Sequence, residues 1–124
     1  MLAKLPMVPY IPVSDLSRAR KFYEEKLGAK PKDVTPGGVH YDCGGATFFM
    51  YTSGSAGTNK ASLAFWDVTN IEAEVAELRK KGIQFEHYDL PDLTWKDGIA
   101  SAPGVKNAWF KDTEGNILAL IQLT

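Results

Sequence analysis

The sequence predicts an α+β fold made of two tandem β-α-β-β-β modules within one domain of 124 residues. Asn107–Thr124 has the pattern of a hairpin, because turn residues separate two apolar strands. His40–Thr52 shows the same pattern, and its Gly45 precedes the equivalent Gly115 by 70 positions. A strand followed by a helix also occurs twice, at a spacing of 55 positions. These repeats indicate that the chain contains two copies of one unit.

The composition is that of a globular protein with a substantial core, since 44% of the residues are apolar. The net charge is −1 and acidic and basic residues are mixed along the chain, which argues against the basic stripe of a nucleic-acid surface. A single cysteine, Cys43, excludes an intrachain disulfide framework. The sequence shows neither a signal-peptide pattern nor an apolar run of membrane-spanning length. We therefore expect a cytoplasmic protein that has no membrane or nucleic-acid partner.

The first module is expected at about residues 6–53. Its helix should start at the N-cap pair Ser14-Asp15, show apolar residues at helical spacing, and end at Gly28. Its strands are expected at Met7–Val13, Ala29–Val34, Val39–Cys43 and Ala46–Thr52.

A linker over about residues 53–60 leads into the second module, about residues 61–124. A capping box, Thr69-x-x-Glu72, should start its helix, which ends at Gly82. Strands are expected at Ala61–Val68 and Ile83–His87, before the closing hairpin. Tyr88–Lys106 would be a long loop, either a lid over a site or a surface excursion.

These features resemble the vicinal oxygen chelate superfamily, which includes glyoxalase I, extradiol dioxygenases, fosfomycin-modifying enzymes and bleomycin-resistance proteins. The residues that show the resemblance are VSDL before the first helix, FYEEKLG at its end, and DTEGNILAL in the closing hairpin. The resemblance extends from about Val8 to Gln122. It implies paired modules whose curved mixed sheets surround a cleft, often in a homodimer.

The resemblance also implies where the metal ligands of the enzymes would fall. The ligands on the first strands would be Val8 and Leu63, and those on the last strands would be Phe49 and Ala119. None of these side chains has an oxygen or nitrogen donor, whereas divalent ions require such donors. We therefore expect a member that holds no metal and uses no cofactor.

Side chains alternate along strands, so residues in phase with those four positions should face the cleft. Tyr10, Tyr51 and Asp67 would orient a ligand, and aromatic rings would stack against it. The alternative is that these residues fill the cleft or a dimer contact. The full predicted ligand-binding set is Tyr10, Phe49, Tyr51, Leu63, Phe65, Asp67, Trp95, Trp109 and Ala119.

Other chemistry-bearing residues give weaker signals. His40 and His87 each begin an H-x-D pattern and could form a relocated acid–base or metal site, although surface histidines explain them as well. Asp112 and Glu114 are expected to support their turn. Cys43 has no basic neighbour in sequence that would activate it as a nucleophile.

Two functions therefore remain. The first is a metal-free binding protein for a small aromatic or hydrophobic compound in an apolar cleft. Bleomycin itself fits poorly, because it is large and cationic and no acidic groove is evident. The second is an enzyme of the same superfamily, such as an isomerase, lyase or dioxygenase-like protein, whose relocated catalytic groups would include His40, His87 or Asp67.

Overall fold

The computed structural model describes residues 1–124, and the chain divides into two compact units, Met1–Gly57 and Thr58–Thr124. Each unit contains one mixed β-sheet with a helical segment against it, and the first unit also has a 3₁₀ turn at Leu2–Lys4. No helix of the chain has the length and apolar character needed to span a bilayer.

The first unit has four strands in the order β1-β4-β3-β2, of which only the pair β1–β4 is parallel. Asp15 starts its helix by accepting a hydrogen bond from the backbone N–H of Arg18, at 3.1 Å. The helix continues beyond Lys21 as a π-helical turn over Phe22–Lys26. The elements are β1 (Tyr10–Val13), α1 (Leu16–Lys21), β2 (Lys30–Thr35), β3 (Gly38–Cys43) and β4 (Ala46–Thr52).

The second unit has a sheet in the order β5-β10-β9-β8-β7, in which the short strand β6 also pairs with β9. Again the first strand lies parallel to the last, β5 beside β10. The elements are β5 (Ala64–Asp67), α2 (Ile71–Lys80), β6 (Phe85–Glu86), β7 (Thr94–Lys96), β8 (Ile99–Ala102), β9 (Val105–Lys111) and β10 (Ile117–Leu123).

The strand registers confirm that the fold is duplicated. In the first unit Tyr10 lies opposite Phe49, and in the second unit Phe65 lies opposite Ala119. Phe65 follows Tyr10 by 55 positions and Ala119 follows Phe49 by 70, which are the two spacings found in the sequence. The α+β fold of two β-α-β-β-β modules is therefore confirmed.

One face of each sheet is buried under the helix of its own unit, as the alternation of apolar residues predicted. The helix-facing residues of the first sheet are Ile11, Val13, Val39, Tyr41 and Met50, all buried. Those of the second sheet include Ala108, Phe110, Leu118 and Leu120, and α2 turns Ile71, Val75 and Leu78 towards them. Burial of this apolar surface is the main source of stability in each unit.

Several predicted strands were too long. β1 begins at Tyr10 rather than Met7, and the preceding residues contact β4 through the Pro9 carbonyl, which accepts from the N–H of Phe49 at 2.9 Å. β5 is limited to Ala64–Asp67, and the strand expected at Ile83–His87 is only Phe85–Glu86. β2 has the expected length but lies one residue later than predicted, over Lys30–Thr35, as an exposed edge strand with a bulge between Pro31 and Asp33.

The prediction of a long loop at Tyr88–Lys106 was wrong, because this segment contains the β7–β8 hairpin. Asp97 and Gly98 form its turn, with φ values of 52° and 80°. Positive φ at both central residues is typical of the type I′ turn that joins two-residue hairpins. The segment therefore extends the sheet beside β9 instead of forming a lid.

The closing turn is held by buried polar groups. One carboxylate oxygen of Asp112 accepts hydrogen bonds from the backbone N–H groups of Glu114 and Asn116, at 2.9 and 2.8 Å. The other accepts from the side-chain amide of Asn116, at 2.9 Å. The expectation that Asp112 supports the turn is confirmed.

The predicted capping box at the start of α2 was also wrong. The N-cap is Asn70, whose side-chain oxygen accepts a hydrogen bond from the backbone N–H of Ala73 at 3.1 Å. Glu72 instead forms an ion pair with Lys106, at 2.6 Å. Thr69 therefore lies outside the cap.

We predict that Asn70→Ala lowers the free energy of unfolding by about 1 kcal/mol, because an N–H group of the first turn loses its acceptor. Thr69→Ala is the matched control, and its effect should stay within about 0.5 kcal/mol. Urea unfolding followed by circular dichroism measures both. An equal or larger loss in Thr69→Ala would show that the cap has been assigned to the wrong residue.

A half-buried polar network fixes the helical segment of the first unit to its sheet. The Tyr41 hydroxyl donates to the Glu24 carboxylate at 2.7 Å, and Arg20 Nε donates to the same oxygen at 2.8 Å. Burial raises the pKa of Tyr41 and the Glu24 carboxylate raises it further, so the hydroxyl stays protonated. Burial alone would raise the pKa of Glu24, but the bonds from Arg20 and Tyr41 outweigh it and leave that pKa below its usual value.

This network should make stability depend on pH. Because the pKa of Glu24 is lower in the folded than in the unfolded chain, its contribution is complete above the usual value of 4.5 and is lost as the pH falls through the folded pKa. We predict that Glu24→Gln lowers the free energy of unfolding by about 1–2 kcal/mol at pH 7, and by less at pH 3. Urea unfolding across this range tests it, and a difference that did not change with pH would contradict it.

Candidate functional site

The face of each sheet opposite its helix, called here the helix-free face, carries a row of aromatic side chains. In the first unit the row crosses Tyr10, Phe49 and His40, which are register partners on β1, β4 and β3. Tyr10 makes edge-to-face contacts with Phe49 and Tyr51, at ring-centre distances of 5.8 and 4.9 Å. Tyr10 is nevertheless 65% exposed, so its ring presents a large apolar surface to solvent.

Gly38 allows the Phe49 ring to lie against the backbone of β3. A Cβ at this position would lie 2.8 Å from Cζ of Phe49 and would also collide with the carbonyl oxygen of Met50. Its φ of +150° is a conformation that side-chain-bearing residues rarely adopt. The centre of the His40 imidazole lies 4.5 Å from the centre of the Phe49 ring, in edge-to-face contact.

The equivalent row in the second unit crosses Phe65, Ala119 and Trp109, on β5, β10 and β9. Phe65 is 59% exposed, whereas Ala119 is buried. The two rings are separated by two strand spacings, roughly 10 Å, with only a methyl group between them. This arrangement gives a shallow apolar surface with an aromatic ring on either side.

Three further rings extend the surface from Trp109. Trp95 lies 5.9 Å from Trp109 and 4.2 Å from His87, and Tyr88 lies 5.6 Å from Trp109 in edge-to-face contact. The Tyr88 hydroxyl is buried and has no hydrogen-bond partner. Burial and the nearby Glu86 carboxylate raise the pKa of Tyr88, which keeps this hydroxyl protonated as a donor.

The structure sorts the predicted ligand-binding residues into two groups. Tyr10, Phe49 and Tyr51 gather on the first sheet, and Phe65, Ala119, Trp109 and Trp95 follow the second. Asp67 ends β5 opposite Ile121, and Leu63 lies just before that strand, its N–H bonded to the carbonyl of Ile117 at 2.7 Å. Ligand binding by these residues remains a prediction.

Trp95 lies on strand β7, and not in the loop where it was expected. His87 and Tyr88 complete its cluster, although neither was predicted as a ligand-binding residue. The Asp-Gly pair at residues 97–98 was the available signal, because it indicates a hairpin that brings Trp95 back to the sheet.

The two histidines have different surroundings and lie in different units. Nδ1 of His40 is buried without a hydrogen-bond partner. Nε2 of His87 lies 3.5 Å from the Asp89 carboxylate, and both side chains are largely exposed. Solvent weakens such exposed pairs. Cys43 is a free, half-buried thiol.

The residues at the implied metal positions do not fit a divalent ion. Phe49 and Ala119 occupy the implied positions on the last strands, where they lie opposite Tyr10 and Phe65. The implied ligands on the first strands, Val8 and Leu63, lie two residues before these partners. All four side chains are hydrocarbon, so none supplies the nitrogen or oxygen ligand that such ions require. Elsewhere in residues 1–124, no group of three or more His, Cys, Asp or Glu side chains is placed to hold an ion.

A duplicated mixed-sheet fold with apolar, aromatic helix-free faces defines a class of small glyoxalase-like proteins. The family model of the Glyoxalase/Bleomycin resistance protein/Dioxygenase superfamily matches residues 5–120. The chain therefore belongs to this superfamily. Comparison with curated protein sequences gives no match.

Solved structures with the same fold share little sequence with this chain. TnmS3, an antibiotic binding protein from a Streptomyces species, is 21% identical with a TM-score of 0.69, over 100% of this chain and 99% of its own. A glyoxalase/bleomycin resistance protein/dioxygenase from Alicyclobacillus acidocaldarius is 19% identical with a TM-score of 0.71, over 97% and 92% of the two chains. A glyoxalase family protein from Bacillus anthracis is 19% identical with a TM-score of 0.63, over 97% of each chain.

Proposed function

We propose that this chain is a metal-free binding protein for a small aromatic or hydrophobic compound. The observation that carries the proposal is the aromatic surface on the helix-free face of the second unit. Phe65 presents most of its ring to solvent, and Trp109 and Trp95 continue the surface across the sheet. Exposed apolar surfaces of this kind are often functional in soluble proteins.

The chemistry of the surface favours stacking over catalysis. Aromatic rings bind flat apolar ligands through offset or edge-to-face contacts. The surface has few polar groups that could orient such a ligand, among them the Asp67 carboxylate at its edge and the Glu86–Lys111 ion pair at 3.5 Å. Apolar walls with a few polar groups are the usual composition of small-molecule sites.

The family supports this proposal without defining the ligand. The superfamily includes bleomycin resistance proteins by name, and TnmS3 is described as an antibiotic binding protein. We further propose a cytoplasmic homodimer, because the family resemblance implies pairing and the free thiol of Cys43 suits a reducing compartment.

Nile red is a suitable neutral aromatic probe, because its fluorescence rises in apolar surroundings. We predict that Phe65→Ala weakens Nile red binding about fivefold, since part of the ring surface that covers the probe is lost. Val34→Ala, which removes an exposed apolar side chain from the first unit, should leave the affinity unchanged. Equal affinities for the wild type and Phe65→Ala would exclude this surface as the site.

The second candidate is an enzyme of the same superfamily whose catalytic groups lie away from the implied metal positions. The feature that favours it is the His87–Asp89 pair beside Trp95. An imidazole paired with a carboxylate can serve as a general base.

Metal analysis of the purified protein separates the two candidates. We predict far less than one equivalent of any divalent ion per chain, and no change in melting temperature on adding EDTA or Zn²⁺, because the four implied ligand positions are hydrocarbon. A bound ion in stoichiometric amount, or a melting temperature that fell with EDTA, would favour the enzyme.

A further inference from the structure

The second unit contains a cavity of about 470 Å³ on the helix side of its sheet, opposite the aromatic surface. It lies between α2, the β7–β8 hairpin and the start of β9. A volume of this size is in the range of small-molecule sites. The lining residues of this helix-side cavity are Glu72, Val75, Ala76, Arg79, Lys96, Asp97, Ile99, Ser101 and Lys106.

The floor of the cavity is apolar. Val75 and Ile99 are 2% and 7% exposed, and Ala76 adjoins them on α2. Together these side chains give the cavity an apolar floor, on which a short hydrocarbon chain can lie.

Arg79 is fixed at one wall by the hairpin turn. Its guanidinium donates to the carbonyl oxygen of Asp97 at 2.9 Å and lies 5.6 Å from the centre of the Phe85 ring. A Cβ on Gly98 would lie only 2.6 Å from Nη2 of Arg79. The glycine therefore serves both the positive φ of the turn and the close approach of the guanidinium.

Among the charged residues of the lining, Arg79, Lys96 and Asp97 form no ion pair, which leaves two cations and one anion unpaired. Lys106 is paired with Glu72 at 2.6 Å. Lys96 forms no ion pair and no hydrogen bond in the structure, and the Ser101 hydroxyl has no hydrogen-bond partner. With three cationic and two anionic side chains, the lining carries a net charge of +1.

We propose that the helix-side cavity binds a small aliphatic monocarboxylate. Its carboxylate would accept hydrogen bonds from the Lys96 ammonium and the Ser101 hydroxyl, and its hydrocarbon chain would lie on Val75 and Ile99. The net charge of +1 matches a monoanion better than a doubly charged phosphate ester. The site differs from the proposed aromatic site, since Ser101 and Ala100 point to opposite faces of β8.

Calorimetric titration of the full chain with hexanoate tests the proposal. We expect saturable one-to-one binding, and weaker binding of both hexan-1-ol, which lacks the charge, and acetate, which lacks the chain. Lys96→Gln should weaken hexanoate binding about tenfold through loss of a charge-assisted hydrogen bond. Lys80→Gln removes an equal charge from an exposed position on α2 outside the cavity and should have no effect.

Amide NMR spectra locate the bound hexanoate and show that the variants remain folded. The amide resonances of Gly98, Ile99 and Ser101 should move on titration. Undetectable binding, hexanol binding as tightly as hexanoate, or Lys96→Gln binding as tightly as the wild type would each overturn the proposal. Phe65→Ala should retain hexanoate binding and Lys96→Gln should retain Nile red binding, so the two sites can fail independently.

Discussion

The parallel pairing of the first and last strand of each unit is the constraint on which the rest of the structure depends. Two parallel strands cannot be joined by a tight turn, so the chain must cross over one face of the sheet. In each unit the crossover includes the helical segment, α1 between β1 and β2 and α2 between β5 and β6. One face of each sheet is therefore buried under a helix, and the opposite face remains for other side chains.

The same pairing decides which side chains meet on the helix-free faces. It places Tyr10 beside Phe49 in the first unit and Phe65 beside Ala119 in the second. The two copies have diverged at this row, because an aromatic ring in one is replaced by a methyl group in the other. In the second unit the exposed Phe65 ring therefore lies beside a buried methyl group, whereas in the first unit Tyr10 contacts the Phe49 ring.

Much of this arrangement could be predicted from the sequence, because a sheet with one buried face requires strict alternation. The rows that contain Phe49 and Ala119 follow from the repeat and from this alternation. The cap of α2 could not be assigned with the same certainty, because Thr69 and Asn70 are adjacent and both are good caps. Which of the two residues becomes the cap depends on where the chain after β5 stops pairing with β10. The N–H of Val68 still bonds to the carbonyl of Ile121 at 2.8 Å.

The aromatic cluster was harder to predict for a different reason. His87 and Tyr88 follow a strand of only two residues, whose position depends on tertiary pairing with β9 and not on any local pattern. Trp95 was expected in a loop because the segment around it contains two prolines and two glycines, Pro91, Gly98, Pro103 and Gly104. The turn itself was the stronger signal, since Asp-Gly pairs favour positive φ at both central positions.

The irregular edge strand β2 has a consequence for how this protein meets other copies of itself. An unpaired strand edge is a template for further strand addition, which leads to fibrillar or amorphous aggregates. Here the edge contains a proline, a bulge between Pro31 and Asp33, and lysines at positions 30 and 32. The proline has no N–H to donate, the bulge distorts the edge, and the lysines repel a second copy of the same strand. The first sheet is therefore protected against open-ended growth by strand addition at this side.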